Sequence, residues 1–75
     1  MINFLEIPFR DYTKYIGKLV KVRDVGDPAI FYIGTLAGFY LSSGRGVAEV
    51  IVRDTMHNLN KQDFDFSTYT FEVLN

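Results

Sequence analysis

Ile30-Phe31-Tyr32-Ile33-Gly34-Thr35-Leu36-Ala37-Gly38-Phe39-Tyr40-Leu41 is the stretch whose reading decides the fold. It is almost wholly apolar, interrupted only by Gly34, Thr35 and Gly38. At twelve residues it is too short for a membrane span, which needs about 18. Aromatic and β-branched residues suit an extended chain, and glycine inside a strand marks a bend or a bulge. Two glycines four residues apart predict one long, strongly curved strand serving two sides of a small barrel.

On the N-terminal side, Asp24-Val25-Gly26-Asp27-Pro28 is turn chemistry, because Gly admits positive φ, Asp caps its own backbone and Pro fixes φ. Before it, residues 18–24 place Val20 and Val22 on one face and Lys21 and Arg23 on the other, which predicts a half-buried strand. Earlier still, Pro8, Phe9, Tyr12 and Ile16 recur at helical spacing and Gly17 stands where a helix stops, so residues 8–16 read as a short helix. Ile2, Phe4, Leu5 and Ile7 are too apolar for a free tail and are expected to pack over the domain or against a neighbour.

On the C-terminal side, Ser42-Ser43-Gly44-Arg45-Gly46 predicts a second turn. Residues 47–53 follow as a strand in which Ala48, Val50 and Val52 alternate with Glu49, Ile51 and Arg53, an arrangement that exposes Ile51. Residues 54–63 are polar and turn-rich, and are expected to form the longest irregular piece, with room for one helical turn, before Phe64 resumes the apolar pattern. Thr68, Thr70 and Glu72 alternate with Tyr69, Phe71 and Val73, predicting a last strand.

Seventy-five residues and 8.6 kDa allow one domain, residues 1–75. With 48% hydrophobic and 16% aromatic residues the chain is far from the composition of a disordered one. The expected fold is mainly β: a short N-terminal helix followed by a small, strongly bent four- or five-stranded antiparallel barrel. An open sheet with the helix on one face is the second reading. No apolar run reaches membrane length and the start lacks the basic region of a signal peptide, so a cytoplasmic chain is expected.

The chemistry of an enzyme is missing from the residue inventory. There is no cysteine, which removes disulfides, thiolate metal sites and cysteine nucleophiles. The single histidine, His57, is the only candidate base and stands in a polar loop among Met56, Asn58 and Asn60, where a solvated side chain is expected. Asp63 and Asp65 are spaced to share one face of a strand, but nothing in the sequence pushes their pKa values apart. Asp24 and Asp27 lack the ligand spacing of a calcium loop, and Gly34 and Gly38 precede no phosphate-loop lysine. We therefore expect no catalytic residues, no metal, no cofactor and no small-molecule substrate.

Residues 1–53 carry a net charge of +2 and residues 54–75 a net charge of −3, for −1 overall. Such a chain lacks the clustered positive charge of a strong non-specific phosphate binder. Lys14, Lys18, Lys21 and Arg23 nevertheless lie close in sequence, with Tyr12 and Tyr15 beside them.

Residues 8–40, with a short helix, then Ile16-Gly17-Lys18-Leu19-Val20-Lys21-Val22, then Tyr32-Ile33-Gly34-Thr35-Leu36-Ala37-Gly38-Phe39, resemble the first half of the Sm-like family. The resemblance covers about half the chain and rests on fold-forming positions. It implies a barrel able to form rings through edge-strand pairing. Tyr40 stands where that family carries Asp, Gly44 where it carries a base-contacting Asn, and Asp63-Phe64-Asp65-Phe66 where its second motif would fall. The family's RNA site is thus not carried over, and acidic and aromatic residues in its place point to a protein partner or to self-assembly.

Two functions follow. In the first, the chain is a non-enzymatic protein-binding or homo-oligomeric module, a small accessory or phage-type protein, with Tyr32, Phe39, Tyr40, Arg45, Phe64 and Phe66 as contact residues. In the second it is an Sm-like RNA-binding ring, with Lys18, Lys21, Arg23 and Arg45 on phosphate and Tyr15 or Tyr40 stacked on bases.

Overall fold

Val20, Val22, Leu36, Val50 and Phe71 are the largest fully buried side chains, and they come from four different strands. Their arrangement is that of one antiparallel sheet. The computed structural model describes residues 9–53 and 56–74, with strands β1 (Leu19–Asp24), β2 (Phe31–Ser42), β3 (Arg45–Arg53), β4 (Leu59–Asp65) and β5 (Tyr69–Val73). Across the sheet the order is β4-β3-β2-β1-β5.

Alternation sets the faces. Val20 and Val22 of β1, Leu36 of β2, Ala48, Val50 and Val52 of β3, Phe64 of β4 and Phe71 of β5 point into the core. Each such Val, Leu or Phe burial stabilises by roughly 1.5–3 kcal/mol before chain entropy is subtracted. The pairing of β2 with β3 shifts register between Leu36 and Gly38, the irregularity of a β-bulge, beside one of the glycines that predict a bend or a bulge. Ser43 and Gly44 carry positive φ (51° and 77°) between the paired residues Ser42 and Arg45, the geometry of a two-residue hairpin turn. In the β1–β2 connection Gly26 donates its N–H to the Asp24 carboxylate (2.7 Å) and Ala29 donates to that of Asp27 (3.1 Å), so both acids act as turn formers.

The expected barrel is not formed. β4 and β5 lie at opposite edges of the sheet and do not pair, so the sheet stays open. Yet only Phe66, Ser67 and Thr68 connect them. A flat five-stranded sheet is about 19 Å from edge to edge, whereas the four chain steps from Asp65 to Tyr69 span at most about 14 Å. The sheet must therefore curl until its edges approach at one end. There the gap is filled by aromatic rings instead of a hydrogen-bond ladder: Phe64 meets Tyr69 edge-on at 5.0 Å and Phe66 meets Phe71 at 5.9 Å.

Two other expectations are corrected. The helix expected over residues 8–16 begins at Pro8, outside the described residues, and the described segment is a seven-residue 3-10 helix, Phe9–Tyr15. It is followed by two tight bonds, from the N–H of Ile16 to Thr13 and from that of Lys18 to Tyr15. Its Tyr12 enters the core against Phe39 (4.8 Å) and Phe66 (5.5 Å). Residues 54–63 are not irregular throughout, because β4 takes in Leu59 to Asp63 despite the polarity of Asn60 to Asp63. Edge strands tolerate such a sequence, since only one side is paired and most of their side chains remain in water. Residues 54 and 55, like the apolar segment 1–7, lie outside the described residues.

Candidate interaction surface

Odd-numbered residues of β1, β3 and β4, and those of β2 before its bulge, form the outer face of the sheet, because the core side chains of these strands, Val20, Val22, Leu36, Ala48, Val50, Val52 and Phe64, are even-numbered. This face carries an apolar stripe. Phe31 and Ile33 are 48% and 47% exposed, Leu19 38% and Ile51 36%. Leu19 and Ile51 both lie opposite Thr35, two residues from Ile33, and Phe31 continues the row opposite Arg23. The ammonium of Lys21 sits 4.4 Å from the centre of the Phe31 ring, covering part of the stripe with a cation. At the end of β4, Leu59 is 63% exposed.

The sequence concealed this stripe because both faces of β2 are apolar before the bulge. One face packs Tyr32, Gly34 and Leu36 inward, and the other leaves Phe31 and Ile33 in solvent. The signal that distinguishes them is Gly34, whose missing side chain lets β3 approach on the core side.

A second feature lies at the tip of the β2–β3 hairpin. Tyr40, Ser42, Ser43, Arg45, Val47, Asp63 and Asp65 line an open concavity of about 490 Å³. Register explains the grouping, since Val47 stands opposite both Tyr40 and Asp65. The Tyr40 hydroxyl donates to an Asp63 carboxylate oxygen at 2.8 Å. That bond raises the phenol above its ordinary pKa, and partial loss of solvent and the charges of Asp63 and Glu49 add to it. Asp65 accepts from both the hydroxyl (2.6 Å) and the backbone N–H (2.7 Å) of Ser67. Those two bonds hold its carboxyl below the usual range against partial desolvation, with Arg45, 3.8 Å away, contributing in the same direction. Lys61 bridges to Glu49 at 3.0 Å on the same outer face.

The residues singled out in the sequence fall in different places. Phe64 and Phe66 are core residues, 2% and 6% exposed, so neither offers its ring to a partner. Tyr32, Phe39 and Tyr15 are half-buried and pack against the core. Tyr40 and Arg45 do come together at the hairpin tip, whereas Lys21 and Arg23 stand on β1. Lys18 receives the N–H of Leu36, six residues along β2 from Ser42, or roughly 20 Å of strand from the Arg45 end. The basic set therefore does not converge on one spot. Among the described residues no three metal-ligating side chains are grouped, and none of the helical segments is long and apolar enough to cross a membrane. Comparison with protein-family models, curated proteins and solved structures finds no match.

Proposed function

We propose that this chain is a non-enzymatic interaction module that works by binding a protein, including copies of itself. The observation that carries the reading is the outer-face stripe of Leu19, Phe31, Ile33 and Ile51 on a sheet whose two edges, β4 and β5, are unpaired among the described residues. Water-exposed apolar side chains in a row are the usual mark of a surface covered by a partner, and an open edge offers backbone groups to a further strand. A domain of this size buries only about 60% of its unfolded surface, so association adds stability that the core alone supplies sparingly. In this reading Tyr32 and Phe39 support the face from within, while Tyr40 and Arg45 form its polar border.

The alternative is the Sm-like RNA-binding ring. Its support is the placement of Lys21 and Arg23 on the outer face beside Phe31, where a base could stack. The carboxylates around Tyr40 and Arg45 weigh against phosphate at the hairpin tip.

Light scattering on a sizing column, read together with the ratio of nucleic-acid to protein absorbance, separates the two. We expect a mass that is a multiple of 8.6 kDa with a clean protein spectrum. Nucleic acid that co-elutes, is stripped by high salt, and is lost in the Lys21→Glu, Arg23→Glu double variant would instead establish the RNA reading.

A further inference from the structure

The free edge of β4 is complementary to itself. Its sequence is Leu59-Asn60-Lys61-Gln62-Asp63-Phe64-Asp65, and among the described residues no strand lies beyond it. Phe66 donates its N–H to the carbonyl of Gly46 (3.0 Å), and the uninterrupted register with β3 extends that pattern along the strand. Even-numbered residues thus direct their backbone groups to β3. Backbone N–H and C=O groups alternate sides along a strand, so Lys61 and Asp63 direct theirs to the open side.

Consider a second copy pairing antiparallel along this edge about a two-fold axis. Side chains alternate faces with period two, so only registers that set odd residues opposite odd residues keep the two sheets continuous. Three such registers are central on the strand. One sets Lys61 opposite itself, placing like charges in direct contact; another sets Asp63 opposite itself and Lys61 opposite Asp65, but it needs the Asp65 carbonyl, which already accepts the N–H of Thr68 (3.2 Å). The third is centred on Gln62. It sets Lys61 opposite Asp63 twice, Gln62 opposite Gln62, and Asn60 opposite Phe64.

Charge complementarity and the free backbone groups together select one register, and we propose that β4 pairs with β4 of a second copy of this chain, with Gln62 on the two-fold axis. The proposal rests on the self-association arm of the function given above and uses the sheet edge of that reading, leaving the outer-face stripe on β1, β2 and β3 uncovered. In that register the outward backbone groups of Lys61 and Asp63 exchange hydrogen bonds. Each Lys61 ammonium then lies between Glu49 of its own chain, its 3.0 Å partner, and the opposing Asp63 carboxylate, which already accepts from Tyr40. The two sheets become one ten-stranded sheet whose outer faces, with their apolar stripes, are continuous. Such a two-fold contact closes at two copies, whereas head-to-tail pairing of β4 with β5 generates rings or filaments.

Charge exchange tests the register. Lys61→Asp places two carboxylates opposite two carboxylates, and Asp63→Lys places two ammonium groups opposite two. Each variant alone should dimerise at least tenfold more weakly than the parent in sedimentation equilibrium. An equimolar mixture of the two restores opposite charges at both contacts and should recover a dimer containing one copy of each, identified by native mass spectrometry. The Lys61→Asp, Asp63→Lys double variant should dimerise with itself. Circular dichroism of each variant, with an unchanged β spectrum, confirms that a weakened dimer is not an unfolded chain. Parent and variants that share one mass above that of a dimer would overturn this pairing while leaving self-association standing. A parent that stays monomeric at high concentration would overturn both. Single variants that fold and weaken, with no recovery in the mixture, would place Lys61 and Asp63 at a different contact and overturn the register.

Discussion

A β-carbon at Gly34 would collide with the backbone carbonyl of Ile51 and press on Val50, whereas one at Gly38 meets no heavy atom of the described residues within 4 Å. The two glycines look alike in the sequence, four residues apart in one apolar run, and both suggest a bend. Only at Gly34 does the close approach of β3 require the absence of a side chain. Gly34→Ala should therefore cost about 3 kcal/mol or more, because relief requires moving paired backbone and not merely a side chain. Gly38→Ala should stay within about 1 kcal/mol of the parent, since alanine also restricts the unfolded chain. Urea midpoints of the two variants measured side by side decide the matter, and equal losses would mean that the bulge, not the β2–β3 approach, sets the constraint.

At the scale of elements, the three-residue link from β4 to β5 must turn the chain sharply enough to join opposite sheet edges. Asp65 organises that link by accepting both the hydroxyl and the N–H of Ser67. Because these bonds favour the ionised carboxylate, its pKa lies lower in the folded chain than in the unfolded one. Stability from this source is present at neutral pH, above the ordinary carboxylate value of about 4, and is lost as pH falls through that range toward the lowered value. The Asp65→Asn variant should be less stable at pH 7 and show a shallower decline between pH 5 and pH 3 than the parent. Denaturant midpoints across that interval check it, and parallel curves would remove Asp65 from the account of acid sensitivity. Tyr40 and Asp63 form the neighbouring element contact, but the raised phenol titrates only in strongly alkaline solution, where the neutral donor is lost.

At the scale of the whole molecule, a small core and an exposed outer stripe tie folding to association. Any partner that binds only the folded state raises the melting temperature with concentration. If copies of this chain are that partner, Tm should rise over a hundredfold increase in protein concentration, by about 4–8 °C for each kcal/mol gained. A constant Tm in differential scanning calorimetry would make the monomer the stable unit. What the amino-acid sequence determined unaided was local: β1, β2, β3 and β5, the turns at Asp24 to Pro28 and Ser42 to Gly46, and the alternation that buries Val20, Val22, Ala48, Val50 and Val52. These follow from short-range backbone preference and period-two patterning, which are written residue by residue. Tertiary structure alone decided that the sheet stays open, that Phe64 and Phe66 belong to the core, that polar residues 60–63 join an edge strand, and that Phe31 and Ile33 face water. Each of those depends on which strand lies next to which and on which side of β2 the chain returns, a matter of long-range packing that no window of the sequence contains.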